Sequence, residues 1–249
     1  MSPFLAELFG TMLLVIFGDG VVANVLLNKS KGQNAGWIVI TAGWGLGVAV
    51  AVYSVNSISG AHLNPAVTIG LAAIGKFAWS NVPVYVAAQL IGAFLGAVIV
   101  WLAYLPHWGI TEDKGAKLAV FCTGPAVRKP ALNMITEIIG TALLVLGVLT
   151  ILSPQNLVPH SGFETGLAPF LVGVLVWALG LSLGGPTGYA INPARDFGPR
   201  LAHFILPIAG KGHSDWGYAW VPIVGPIIGG VLGALCYKTF WPAFLPPVG

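Results

Sequence analysis

Gly60-Ala61-His62-Leu63-Asn64-Pro65-Ala66 and Gly188-Tyr189-Ala190-Ile191-Asn192-Pro193-Ala194 are two versions of one phrase, one in each half of the chain. Each closes on Asn-Pro-Ala after a Gly-rich approach and opens a short apolar run. Chance alone should place two such tripeptides in a chain of 249 residues on the order of a few times in a thousand. Asn is a favoured N-cap and Pro a favoured first helical residue, so each copy predicts a helix start. The runs that follow, 65–75 and 193–206, are too short to cross a membrane. At about 1.5 Å per residue the first reaches roughly halfway across a hydrocarbon core of ~30 Å.

Composition says which solvent surrounds these half-spans. Hydrophobic residues make up 56% of the chain and charged residues 8%, and the mean hydropathy is +0.86. A soluble domain carries about 25% charged residues, so this chain has too few to cover a surface in water. Lipid is the solvent, and the 34 Gly and 18 Pro fit it. Membrane helices use Gly for close packing and tolerate Pro. A net charge of +3 is too small to imply a nucleic-acid partner, and none is expected. Cys122 is read in a polar loop and Cys236 in a late apolar span, so no disulfide framework is expected. Met1-Ser2-Pro3 leads into apolar sequence without a basic n-region, which marks a first span, not a removable signal.

Six segments are long and apolar enough to span: 4–27, 37–55, 82–105, 131–152, 167–183 and 220–240. The halves repeat. Glu7-Leu8-Phe9-Gly10-Thr11 returns as Glu137-Ile138-Ile139-Gly140-Thr141. Gly92-Ala93-Phe94-Leu95-Gly96-Ala97 returns as Gly229-Gly230-Val231-Leu232-Gly233-Ala234. The last pair is spaced more widely than the Asn-Pro-Ala pair, which places an insertion of about nine residues near 211–217. Three spans per repeat invert the second copy. The expected fold is an all-α membrane protein: one channel domain over 1–249, six transmembrane helices plus two re-entrant half-helices, with inverted repeats at about 1–109 and 131–249. The two Asn-Pro-Ala turns then meet near the midplane.

A capping Asn accepts from its own helix and leaves its amide N–H groups to point outward. Two half-helix N-termini converging with two amides favour a lone-pair oxygen and repel a cation or hydronium. Irregular backbone at this depth survives only where it is buried or lines a wet cavity. Segments 59–63 and 187–191 are therefore expected to line a passage with carbonyls, notably those of Gly60, Ala61, His62, Leu63, Gly188, Tyr189 and Ala190. Glu7 and Glu137 are acids inside spans at matched positions, and each is expected to hold the backbone N–H groups of its own re-entrant loop. His62 either faces the passage or braces the loop. Asp19 has Leu149 as its repeat counterpart, so no acid matches it; an outer-vestibule or packing role fits it. The five His show no metal-ligand spacing, so neither metal nor cofactor is expected.

The twin Asn-Pro-Ala boxes, the Glu-x-x-Gly-Thr repeats and the run from Ser59 to Thr68 resemble the aquaporin, or major intrinsic protein, family over nearly the whole chain. Asp196 after Arg195, Arg200 at the end of the same run, and Pro222-Ile223 in the last span resemble its glycerol-facilitator branch. The resemblance implies six tilted helices and two half-helices around one pore per subunit, four subunits together, in the plasma membrane with both termini cytoplasmic. It maps the outer constriction onto Trp44, Gly180, Tyr189 and Arg195. Trp44 and Tyr189 would form an apolar corner for the C–H side of a polyol, Gly180 would leave room for carbon, and Arg195 would face hydroxyls and oppose cations. Tyr189 stands where glycerol channels commonly have Phe. Read without the resemblance, Arg195 is a snorkelling Arg, Trp44 a belt Trp, Tyr189 a packed aromatic and Gly180 a packing glycine.

The implied function is passive diffusion of glycerol and water. Dihydroxyacetone, urea, hydrogen peroxide and undissociated lactic acid are further candidates. A mainly water-conducting pore would share the same caps. A coupled secondary transporter shares inverted repeats and broken helices but needs a titratable group in its path, for which Glu7, Glu137 and Asp19 are the deep candidates. An enzyme would need a Ser/His/Asp or metal constellation that the sequence lacks. With cytoplasmic termini, only Lys76 and Lys238 of the 11 Lys and Arg lie inside, the reverse of the positive-inside bias. The family pattern covers the whole fold and sets the expected orientation.

Overall fold

The structure, a computed structural model, describes residues 1–154, 156, 157 and 161–241. The expected end of the second repeat, 242–249, lies outside the described residues. The described residues are helical without a strand. In chain order the helices are α1 (Pro3–Leu26), α2 (Trp37–Ser59), α3 (Pro65–Ala73), α4 (Val82–Ala103), α5 (Leu105–Trp108), α6 (Lys114–Phe121), α7 (Pro130–Ile151), α8 (Gly162–Leu183), α9 (Pro193–Ile205) and α10 (Val221–Phe240). Six of them are long and apolar enough to cross a membrane: α1, α2, α4, α7, α8 and α10. Exposed Phe9, Phe17, Leu46, Ile91, Leu143 and Leu181 give lipid a hydrocarbon surface.

Packing follows the repeats. Helix α1 packs on α2 and α4, and α7 packs on α8 and α10 in the same relation. The half-helices change sides: α3 packs on α10, and α9 packs on α4. Helices α2 and α8 meet at Gly45 and Gly173, where a Cβ on either would come within 2.7 Å of the other's carbonyl oxygen. Only glycine allows that approach. The repeated Gly92 and Gly229 do the same between the long helices of each repeat, facing the carbonyls of Leu8 and Ile138.

Three boundaries differ from the sequence reading. Helix α8 starts at Gly162, ahead of the expected span at 167, because the Ser161 hydroxyl caps the Glu164 N–H at 3.1 Å. Hydropathy misses that polar first turn. Helix α2 runs on to Ser59, where the left-handed Gly60 ends it. Cys122 lies not in a plain loop but at the buried C-cap of α6, a helix capped by Asp113 in the segment between the repeats. The insertion is divided: α9 has 13 residues against 9 in α3, and the rest lengthens the α9–α10 connection.

Candidate functional site

Each half-helix is preceded by backbone that few side chains tolerate. Gly60, Ala61 and Leu63 have φ of 79°, 48° and 51°, and Gly188, Tyr189 and Ile191 have 80°, 39° and 43°. The left-handed region costs a non-Gly residue roughly 1–3 kcal/mol and persists only where surroundings over-determine it. Buried carboxylates supply that determination. Glu7 accepts from the His62 and Leu63 N–H groups at 2.9 and 2.7 Å, from the Ser59 hydroxyl at 2.7 Å and from Gln89 Nε2 at 2.8 Å. Glu137 accepts from the Ala190 and Ile191 N–H groups at 3.0 and 2.9 Å and from the Thr187 hydroxyl at 2.6 Å. Neither Glu lines the central cavity.

That cavity has a volume of about 170 Å³ open to the centre of a water molecule. Gly60, Ala61, His62 and Leu63 line it from one repeat, and Tyr189, Ala190 and Ile191 from the other. Gly188 does not reach it. Its N–H bonds the Gly184 carbonyl at 2.8 Å, and it packs on Thr123. His62 combines both readings open to it: it lines the cavity, and its Nδ1 lies 3.1 Å from the Thr68 hydroxyl with the ring against Phe77 and Tyr85.

The Asn-Pro-Ala boxes come together at the cavity. Asn64 and Asn192 cap α3 and α9, their side-chain oxygens accepting from the Ala66 and Ala194 N–H groups at 2.8 and 3.0 Å. Pro65 and Pro193 are the first helical residues, and Ala66 and Ala194 are wholly buried. The amides are not both free, as the sequence reading had it. Asn64 Nδ2 donates to the Ile191 carbonyl and Asn192 Nδ2 to the Leu63 carbonyl, each at 2.8 Å. The left-handed residues turn those carbonyls toward the opposite repeat, so one N–H of each amide ties the halves together. One remains per Asn for the cavity.

Trp44, Tyr189 and Arg195 also line the cavity. The Arg195 guanidinium lies 4.0 Å from the Trp44 ring centre, and its Nη1 donates to the Phe121 carbonyl at 3.3 Å. Gly180 is not part of the lining. A Cβ there would meet the Tyr189 ring at 2.6 Å and the Thr41 methyl at 2.8 Å. The room that Gly180 leaves is filled by Tyr189. Asp196 and Arg200 face away from the cavity as a fully buried bidentate pair, at 2.8 and 3.1 Å. Asp196 also accepts from the Thr123 N–H and hydroxyl, and Arg200 donates to the carbonyls of Thr123, Ser214 and Asp215. They fasten two loops to α9. Pro222 and Ile223 form the first turn of α10, away from the cavity.

Sequence reasoning missed several supports. Gly18 lies under Trp44: a Cβ there would sit 2.1 Å from the indole. Asp19, expected in an outer-vestibule or packing role, is buried, and the partner that the sequence did not disclose is Arg195, whose Nη1 lies 3.7 Å from Oδ1. Gln89 was detectable as an amide in an apolar span; the Phe121 carbonyl had no sequence signal. Among the described residues no group of three His, Cys, Asp or Glu gathers as a metal site.

Comparison with known proteins agrees with this geometry. The family model described as major intrinsic protein matches residues 1–237. The chain is 68% identical over 238 residues to a probable glycerol uptake facilitator protein of Thermotoga maritima, covering 96% of this chain and 99% of the relative. It is 59% identical over 239 residues to the glycerol uptake facilitator protein of Bacillus subtilis, covering 96% and 85%. A D/L-lactic acid transporter of Lactiplantibacillus plantarum is 39% identical over 246 residues, covering 97% and 98%. Among solved structures, the aquaglyceroporin from Plasmodium falciparum superimposes with a TM-score of 0.84 at 31% identity, covering 96% of this chain and 95% of that one.

Proposed function

This chain belongs to the major intrinsic protein family, and from that premise we propose how it works: it is a passive channel, not an enzyme, for glycerol and related small neutral solutes. The observation that carries the reading is the reciprocal lock of Asn64 on Ile191 and Asn192 on Leu63, set in a cavity that Arg195 and Trp44 also line. A hydroxylated solute meets carbonyl acceptors along 60–62 and 189–190, then one free amide N–H from each Asn between two positive helix ends. Each hydroxyl accepts there and donates to a carbonyl, so it loses little on leaving water. A cation or hydronium finds no acceptor at the centre and an opposing field. No covalent step occurs, and flux follows the gradient.

Trp44, Tyr189 and Arg195 form the selectivity filter in this reading. The two rings take the carbon side of a polyol and the guanidinium takes its hydroxyls. Gly180 acts behind them by seating Tyr189. Water, dihydroxyacetone, urea, hydrogen peroxide and undissociated lactic acid are the other candidate solutes. Glu7 and Glu137 serve as fixed acceptors that set the loop backbone; their partners among the described residues are all donors, which leaves no proton-coupling role for them. The domain is a single unit of two inverted repeats in a plasma membrane, as a homotetramer with both termini cytoplasmic. Arg195 and Arg200 serve the site and are set aside from the positive-inside count; the other seven outward Lys and Arg still outnumber Lys76 and Lys238, and the family pattern carries the orientation against that bias.

The test is stopped-flow light scattering on lipid vesicles carrying the protein, across a panel of glycerol, urea, dihydroxyacetone and water. Glycerol flux should rise linearly with its gradient and ignore a proton uncoupler. Saturating or uncoupler-sensitive flux would replace the channel with a coupled carrier.

A further inference from the structure

Asp19 sits in α1 beside Gly18, wholly buried. Its Oδ1 stands 3.7 Å from Arg195 Nη1, and among the described residues neither of its oxygens accepts a hydrogen bond. The neighbouring carboxylate, Asp196, is spoken for by Arg200 and Thr123. Asp19 is thus the carboxylate that answers Arg195. The same turn of α1 supports the other face of the filter, since Gly18 lets the Trp44 ring lie against the helix backbone and Trp44 stacks on the guanidinium at 4.0 Å.

Exchange of the repeats gives an independent argument. The register that matches Glu7 to Glu137 matches Asp19 to Leu149, and the register that matches Asn64 to Asn192 matches Val67 to Arg195. Leu149 and Val67 are both buried and both line the cavity. The two charges are therefore present together at one end of the passage and absent together from the other. Buried ion pairs behave in this way because one partner alone leaves a bare charge in low dielectric.

We infer that Asp19 is a positioning residue that sets the specificity of the constriction: it pins the Arg195 guanidinium against Trp44 and cancels its net charge. The inference rests on Arg195 belonging to the filter of a channel. A paired Arg195 offers short-range donors to hydroxyls without the long-range field of a lone cation. Neutral solutes are then sorted by width and hydrogen bonding, and anions gain no attraction at the mouth. Removal of the carboxylate leaves the donors in place and turns the constriction into an anion-attracting ring.

Wild-type protein, Asp19→Asn, Asp19→Glu and the double variant Asp19→Asn with Arg195→Gln would be placed in lipid vesicles. Glycerol entry is read by light scattering and chloride entry by quenching of entrapped lucigenin. Asp19→Asn should raise chloride flux relative to glycerol roughly tenfold, the scale expected for an uncompensated charge in a narrow pore. Asp19→Glu should restore chloride exclusion, and so should the double variant. A merely structural Asp19 would lower glycerol flux without altering this ratio, and a conducting Asp19→Asn that still excludes chloride overturns the inference. If Asp19→Asn fails to give monodisperse protein, the double variant should recover it, because both charges are then gone; failure of the double variant also overturns the pairing. Absence of glycerol flux through the wild-type protein would instead sink the channel reading itself.

Discussion

The two re-entrant segments share a backbone and differ in what they show the solute. Both have left-handed residues at three matched positions, an Asn cap, and a buried Glu that binds two consecutive N–H groups. The side chains around them diverge. In the register that matches Asn64 to Asn192, the residues Trp44, Gly180, Tyr189 and Arg195 correspond to Val172, Val52, Ala61 and Val67, and all four of those line the cavity. One end of the passage presents two aromatic rings and a guanidinium, and its mate is a sleeve of small aliphatic residues. The common scaffold orients carbonyls and helix ends, and in the proposed function discrimination is added to one side only. A pore needs a single narrow place, and a second would slow flux without adding selectivity.

The largest effects should come from breaking what the halves share. Glu7→Gln and Glu137→Gln each turn one acceptor oxygen into a donor facing backbone N–H groups. Leaving buried donors unpaired costs about 1–3 kcal/mol each, so each variant should lose roughly 2–5 kcal/mol and much of its thermal stability in detergent. The two losses should be similar, because both loops rest on the same bonds. A large loss at one Glu and none at the other would break the equivalence of the repeats.

Gly180→His tests the unequal part. The sequence reading takes the glycine as open space, so that His would narrow the pore for glycerol and spare water. The structure sharpens this: any Cβ meets the Tyr189 ring at 2.6 Å, so Tyr189 must move first. Glycerol flux should fall by about tenfold or more, as expected when a filter loses its shape. Val52, the counterpart on the other side, supplies the control. Val52→Ala should change glycerol flux by less than about twofold, since a wide end does not limit conduction. An effect of Val52→Ala equal to that of Gly180→His would erase the distinction between the ends.

The scaffold was more legible in the sequence than the filter, for a physical reason. Half-helices, caps and spans are local: Asn64-Pro65 and Asn192-Pro193 announce a helix start, and hydropathy announces six spans. The carboxylates were legible too, because an acid in an apolar span demands partners, and repetition pairs Glu7 with Glu137. The proposed filter and its supports draw on α1, α2, α6, α8, α9 and the loop before α9, and nothing local ties Gly18 to Trp44 or Phe121 to Arg195. Asp19 shows the limit. Its polarity marked it, yet its partner Arg195 lies in the other half of the chain, beyond any periodicity. Gly180 shows the converse, since a missing side chain does not disclose which neighbour fills its place.

The smallest effect should come from Tyr189→Phe. Tyr189 differs most in size from its counterpart, Ala61, and the question is whether its ring or its hydroxyl accounts for the difference. The hydroxyl is buried and meets no protein acceptor or donor among the described residues, while the ring packs edge-on to Trp37 at 6.0 Å and fills the space beside Gly180. Removing a hydroxyl that has no protein partner leaves no orphan behind and relieves a desolvated polar group. Phe keeps the ring and the contact with Gly180. Glycerol flux should therefore stay within about twofold of wild type, with thermal stability equal or slightly higher. Tyr189→Ala, which copies the other repeat, should widen the constriction and flatten the preference between glycerol and larger polyols. If Tyr189→Phe instead abolished glycerol flux, the hydroxyl would be a direct solute contact, and the two ends would differ in hydrogen bonding more than in width.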